Sequence, residues 1–136
     1  MSRKGTVPAE KRKETDFLFE DITREIIGAA FEVYKILGYG FLEKVYENAL
    51  LIELQLRELK VESQKPIRIR YKDKPVGDYI ADVVVEEKVL VELKAEKEYN
   101  TKHEAQLINY LKATGLKVGL LINFGEDRCK PKRLVY

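Results

Sequence analysis

The spacing of apolar positions changes along this chain, and each change marks an element. From Asp21, the segment DITREIIGAAFEVYKILG places Ile22, Ile26, Ala29 or Ala30, Val33 and Leu37 at the repeat of one helical face. Asp21 is positioned to cap that helix and Gly38 to stop it, with Gly38-Tyr39-Gly40 as a tight connection. A second helix is predicted over Leu42–Leu59, its polar arc holding Lys44, Asn48, Gln55 and Glu58. From Ile67 the period becomes two: IRIRY alternates, KDKPVG turns, and DYIADVVVEEKVLVELKAEK reads as two β-branched strands joined by Glu86-Glu87-Lys88. A third helix follows over Thr101–Thr114 with Leu107, Ile108 and Leu111 as its packing stripe, ended by Gly115. KVGLLINF is then an apolar strand and RLVY a last edge strand. The order predicts an α/β fold, a mixed β-sheet flanked by α-helices.

Four charged residues break this pattern. Glu43 does not lie in the polar arc of the second helix; it projects on the side of Leu50 and Leu54, flanked by Tyr46 and Glu47. Asp82, Glu92 and Lys94 sit inside strands otherwise built from Val, Leu and Ile. Charged side chains are rarely buried unless paired or bound to a metal. Alternation puts Glu92 and Lys94 on one face. A connection over Glu86–Lys88 brings Asp82 opposite or nearly opposite Glu92, with Cβ atoms roughly 4.5–5.5 Å apart. Two carboxylates so placed repel each other, and a divalent cation between them removes the repulsion.

Composition narrows the chemistry. At 136 residues, 45% apolar and 35% charged, the chain fits one soluble domain. Residues 1–15 read as a flexible basic arm and 16–136 as a single domain. No run reaches the ~18 apolar residues of a membrane helix, and the N-terminus lacks the apolar core of a secretory signal. The single cysteine, Cys129, allows no internal disulfide and suits the cytoplasm. One histidine and one cysteine exclude a Cys/His zinc site by count, and no glycine-rich phosphate loop is present. Any metal must therefore be a hard ion on oxygen ligands. A net charge of +2 neither requires nor excludes a nucleic-acid partner.

Two carboxylates holding Mg²⁺, with a lysine alongside, are what phosphodiester hydrolysis needs: the ion acidifies a water and offsets charge on phosphorus, and the lysine positions the nucleophile or stabilises the transition state. Asp82, then Glu92-Leu93-Lys94, on a strand hairpin resembles the PD-(D/E)XK nuclease superfamily, the restriction-endonuclease-like fold, although Ala81 stands where the pattern has proline. Gly40-Phe41-Leu42-Glu43-Lys44-Val45-Tyr46 resembles the signature of that superfamily's GxxExxY family, and HEAQLINYLKATGLKVGLLINFG is similar to its C-terminal half. Gln106-x-x-x-Tyr110 resembles the QxxxY motif of helicase-associated nucleases.

The resemblance implies a metal-dependent nuclease acting on DNA or RNA. Glu43, Asp82 and Glu92 would hold Mg²⁺ or Mn²⁺, Lys94 would be the catalytic lysine, and Gln106 and Tyr110 would assist. No other cofactor is implied. The rival reading is a non-catalytic nucleic-acid- or partner-binding module that keeps the fold. So small a domain leaves little surface for gripping a duplex, which favours a homodimer. Glu47 reads as a salt-bridging or supporting residue, His103 as a surface residue at a helix start, and Glu96 and Glu98 as a solvated loop. Tyr46 is open between a core residue and one that orients Glu43.

Overall fold

The structure, a computed structural model, describes residues 18–136; the expected arm, 1–15, lies outside the described residues. Helix α1 spans Glu20–Leu37 and α2 Glu43–Leu56; β1 spans Val61–Tyr71, β2 Lys74–Val85 and β3 Val89–Lys94; α3 spans Lys102–Thr114, β4 Val118–Asn123 and β5 Lys130–Val135. The five strands form one sheet in the order β1-β2-β3-β4-β5. All neighbours are antiparallel except β3 and β4, which run parallel with α3 as the crossover.

The helices cover both faces. Ile26, Ala29, Ala30 and Val33 of α1 and Tyr46, Leu50 and Leu54 of α2 pack on one face, against Val83, Val85, Val91, Leu93, Leu120 and Ile122. Leu107, Tyr110 and Leu111 of α3 pack on the other, against Ala81, Val84, Leu90 and Leu121. Central strands covered on both faces read as continuous apolar runs, as VLVEL and VGLLIN do. Each fully buried Leu, Ile or Val adds roughly 1.5–3 kcal/mol relative to an exposed one.

Three expectations shift. Helix α1 begins after Phe19 (φ 55°) without a side-chain cap, so Asp21 lies within its first turn and does not cap it; there, with Glu20, it meets the positive end of the helix dipole. Strand β1 starts six residues before Ile67, at Val61. The last strand is longer than RLVY and begins at Lys130. Gly38 and Gly115 do end their helices, their N–H groups donating to Tyr34 O at 2.8 Å and Leu111 O at 2.9 Å.

Candidate active site

The site lies where three strands lose their regularity together. Ser63 pairs with Val83 and Lys65 with Ala81, but Gln64 and Asp82 between them are skipped, and Gln64 takes a φ of 55°. Ala81 packs in the α3 layer, whereas Val83, two residues on, packs in the α1/α2 layer. Residues i and i+2 of a regular strand share a face, so β2 changes faces at Asp82. Strand β1 does the same around Gln64, since Val61 packs in the α1/α2 layer and Ile67 in the α3 layer.

The β2–β3 ladder ends at the same place. Its pairs are Val83–Val91, Val84–Leu90 and Val85–Val89. Beyond them carboxylates replace the backbone acceptors: Leu93 N–H donates to Asp82 Oδ2 at 2.8 Å, and Asp82 N–H donates to Glu92 Oε1 at 3.2 Å. Asp82 and Glu92 thus meet, as the hairpin register required. The turn that sets this register has Glu86 and Glu87 at positive φ and Lys88 N–H donating to Val85 O at 3.0 Å.

Glu43 enters from the α1/α2 layer as the first residue of α2. Its placement explains the spacing of the Gly40–Tyr46 stretch. Gly38 and Gly40 take positive φ of 75° and 107°, a region L-residues avoid. Tyr46, one turn into the helix and fully buried, donates its hydroxyl to Gly38 O at 2.6 Å and accepts from Phe41 N–H at 3.2 Å. Its ring stacks on Phe124 at 4.7 Å. Tyr46 is therefore both core and strap, fixing the connection that delivers Glu43.

The electrostatics record the crowding. Glu92 is buried, and burial together with the charge of Asp82 pushes its carboxyl up to about 8. Asp82 is raised by burial, against the opposing bond from Leu93 N–H, with Glu47 raising it further. Glu43 is raised by burial and by Asp82. The Lys94 ammonium counteracts the shift on all three. The three carboxylates share one electrostatic neighbourhood, yet among the described residues no three His, Cys, Asp or Glu side chains are arranged to hold a metal ion. The layer structure supplies a reason. Glu43 comes from the α1/α2 side, Glu92 alternates with Val91 and Leu93 toward the α3 side, and one oxygen of each strand carboxylate is engaged by a backbone N–H. A donor set of carboxylates alone still fits a hard divalent cation, and Mg²⁺ is usually held by one or two carboxylates plus water and phosphate.

Residues outside the predicted set support this centre. Glu47, one turn after Glu43, is almost fully buried; Gln64 Nε2 donates to its Oε2 at 2.7 Å and Lys44 Nζ at 3.2 Å. The polar run before Ile67 gave no strand signal, so Gln64 was not legible as a tether. Glu96 lies in the exposed loop after β3, as expected, its side chain 43% exposed, yet it is tied in place. It pairs with His103 Nε2 at 3.0 Å, and its backbone N–H and C=O are bound by the buried Asn123 side chain at 3.0 and 2.9 Å. His103 is accordingly half-buried at the start of α3, in a depression it shares with Lys94. Glu98 is exposed, as expected. On α3, Gln106 stands one turn before Tyr110, whose hydroxyl is pushed up to about 12 by burial and then by the charge of Glu92.

A family model described as the PD-(D/E)XK nuclease superfamily matches residues 20–134. The chain belongs to the PD-(D/E)XK nuclease superfamily. The match runs from the first residue of α1 to Leu134, the penultimate residue of β5. No curated protein matches significantly. A solved structure, the crystal structure of SSO0001, is similar at a TM-score of 0.56 and 19% identity, over 92% of this chain and 60% of that one. At that identity the likeness is one of fold, and this chain spans about three-fifths of the other's length. It supports a restriction-endonuclease-like sheet for this PD-(D/E)XK protein. No helix among the described residues is long and apolar enough to cross a membrane.

Proposed function

We propose that this PD-(D/E)XK protein is a metal-dependent nuclease that hydrolyses phosphodiester bonds in DNA or RNA, and that it falls in the GxxExxY branch. The observation that carries the reading is the pairing of half-buried Asp82 with buried Glu92 at the open end of the β2–β3 ladder, with Lys94 one step along β3. Nothing in the packing of an apolar sheet requires two mutually repelling carboxylates there. The branch assignment is supported by what its motif residues do: Gly40 turns the chain, Glu43 feels the charge of Asp82, and Tyr46 fixes the connection. A single buried thiol, Cys129, fits a reducing compartment, and we place the protein in the cytoplasm.

Asp82 and Glu92 would hold a divalent cation, Mg²⁺ or Mn²⁺, with Glu43 completing the set. When bound, that ion supplies an acidified water and offsets charge on the phosphate. Lys94 faces the same space and positions the nucleophile or stabilises the extra negative charge on the phosphoryl oxygens. From α3, Tyr110 feels the charge of Glu92 and Asp82; in this reading Gln106 would orient Lys94 or a water and Tyr110 would meet the phosphate or base.

The second reading, a non-catalytic binding module, draws on the arrangement of the described residues, among which no three His, Cys, Asp or Glu side chains converge as metal ligands. Purified protein incubated with single- and double-stranded DNA and RNA, in Mg²⁺, Mn²⁺ or EDTA, separates the two. The nuclease reading expects cleavage in either metal, none in EDTA, and none from Lys94→Ala. Binding without cleavage on every substrate would leave the module.

A further inference from the structure

Beside the carboxylates, the β1–β2 hairpin and α3 enclose a groove of about 820 Å³, within the ~300–1,000 Å³ range of pockets that bury small ligands. Among the described residues four cations line it, Arg68, Arg70, Lys102 and Lys112, and no carboxylate does. Arg68 and Arg70 alternate with Ile67 and Ile69, which pack toward α3, so the two arginines border the groove from the edge strand β1 and not from its α3-facing side; Lys102 and Lys112 stand at the two ends of α3. Arg68 also pairs with Asp78 at 3.0 Å, but both side chains are well exposed, and such a pair is weak and readily exchanged.

Between the cations lies an aromatic pair. The Tyr79 ring centroid is 5.4 Å from that of Tyr110, tilted 49°. Tyr110 is buried, whereas Tyr79 is 47% exposed on an edge of the groove. An exposed aromatic ring in a cationic groove can stack on a base only if a face of that base is uncovered, and stacking of this kind tolerates any sequence. Duplex bases are covered on both faces by their neighbours. Tyr110, which lines the groove, also feels the charge of Glu92 and Asp82 and so stands between it and the proposed catalytic residues.

We propose that this groove binds single-stranded nucleic acid, with the four cations on phosphates and Tyr79 beneath an unpaired base. The proposal rests on the nuclease reading for its purpose, since the strand would be led past Tyr110 to Asp82 and Glu92. Its binding chemistry is separable from that reading. Because the groove lies within one chain, this mode of substrate binding does not require a second copy.

The test uses the full chain in EDTA, where no metal-dependent cleavage intervenes. Fluorescence anisotropy is followed with labelled oligodeoxythymidylate, oligouridylate and a blunt DNA duplex. One or both single strands bind about 10-fold or more tighter than the duplex, and Tyr79→Ala weakens that binding about 10-fold. Arg70→Ala lowers the slope of log affinity against log salt by about 0.7, the share of one phosphate contact on a single strand. Both side chains are exposed, so the variants keep the wild-type circular dichroism spectrum and melting curve. Lys117→Ala, outside the groove, binds as wild type. Equal or tighter binding of the duplex, or unchanged affinity in both Tyr79→Ala and Arg70→Ala, overturns the groove. A wild-type protein that binds single strands but never cuts them in Mg²⁺ or Mn²⁺ upholds the groove and removes the nuclease reading. One that cuts while both variants bind and cut normally does the reverse.

Discussion

Glu92 is the residue on which the site's chemistry and the fold's stability conflict. Its carboxyl is raised from 4.5 to about 8 by burial and by Asp82, so the folded chain holds that proton more tightly than the unfolded chain does. A raised folded value contributes stability that is fully present below the unfolded pKa and is lost as pH rises through the folded one. Asp82 and Glu43 move in the same direction. In EDTA the protein should therefore lose stability from about pH 4.5 to 8, with Tm falling on the order of 5 °C. Saturating Mg²⁺ should restore most of that loss at pH 8, since a ligand that binds only the folded state stabilises it. Thermal melts across this range, with and without the ion, check both signs. Glu92→Gln carries the comparison further. It keeps the shape and removes the charge, so the metal-free variant should melt above wild type at pH 8 and show a flatter pH profile while cleaving nothing. A variant that melts below wild type at pH 8 would mean the charge is not the destabilising feature.

The α1–α2 connection is the element whose role the sequence announced only in part. Helical phase alone put Glu43 on the inward side of α2, and glycines marked a turn. Which residue holds that turn was not legible, because Tyr46 also fits an ordinary core position. Its hydroxyl satisfies both Gly38 C=O and Phe41 N–H. Tyr46→Phe leaves two partly buried backbone groups unpaired, at a cost of about 1–3 kcal/mol. It also frees the first turn of α2, and small misplacements of a catalytic group cost rate steeply, so cleavage should slow by roughly 10–100-fold. Urea denaturation and single-turnover kinetics on the same variant test the two effects together. A stability loss with no change in rate would make Tyr46 a core residue alone. Strand β1 was half legible for a different reason. IRIRY alternates, but Val61–Pro66 is mostly polar and Gln64 adopts a conformation foreign to strands. Neither Gln64 nor Asp82, where the face changes, is a glycine or a proline that would signal it.

At the scale of the whole molecule, periodicity recovered three helices, the meander and the central strands, because covered strands and amphipathic helices leave strong apolar patterns. It did not recover how the loop after β3 is tied to the loop after β4, since that tie is polar and joins residues nearly thirty positions apart. Asn123 Oδ1 accepts from Glu96 N–H and from Gly125 N–H, each at 3.0 Å, and Phe124 N–H donates to Lys94 O at 2.8 Å. Tyr34 of α1 donates its hydroxyl to Glu126 O at 2.8 Å, drawing the α1/α2 layer into the same junction. The two backbones pass so closely that a Cβ on Gly125 would lie 2.2 Å from Glu96 N and 2.4 Å from Ala95 C. Backbone atoms cannot give way as a flexible side chain can. Gly125→Ala must therefore push the Ala95–Glu96 segment away, breaking the Asn123 clamp and shifting Lys94 at its edge. Overpacking of this kind costs about 1–3 kcal/mol, and the lost clamp adds to it. The expected result is a clearly lowered urea midpoint with an unchanged slope. Cleavage by the fraction still folded should also fall well below wild type, because Lys94 is the group displaced. Gly125→Ala with a wild-type midpoint would show that the two loops separate freely, and the junction would then have no part in positioning Lys94.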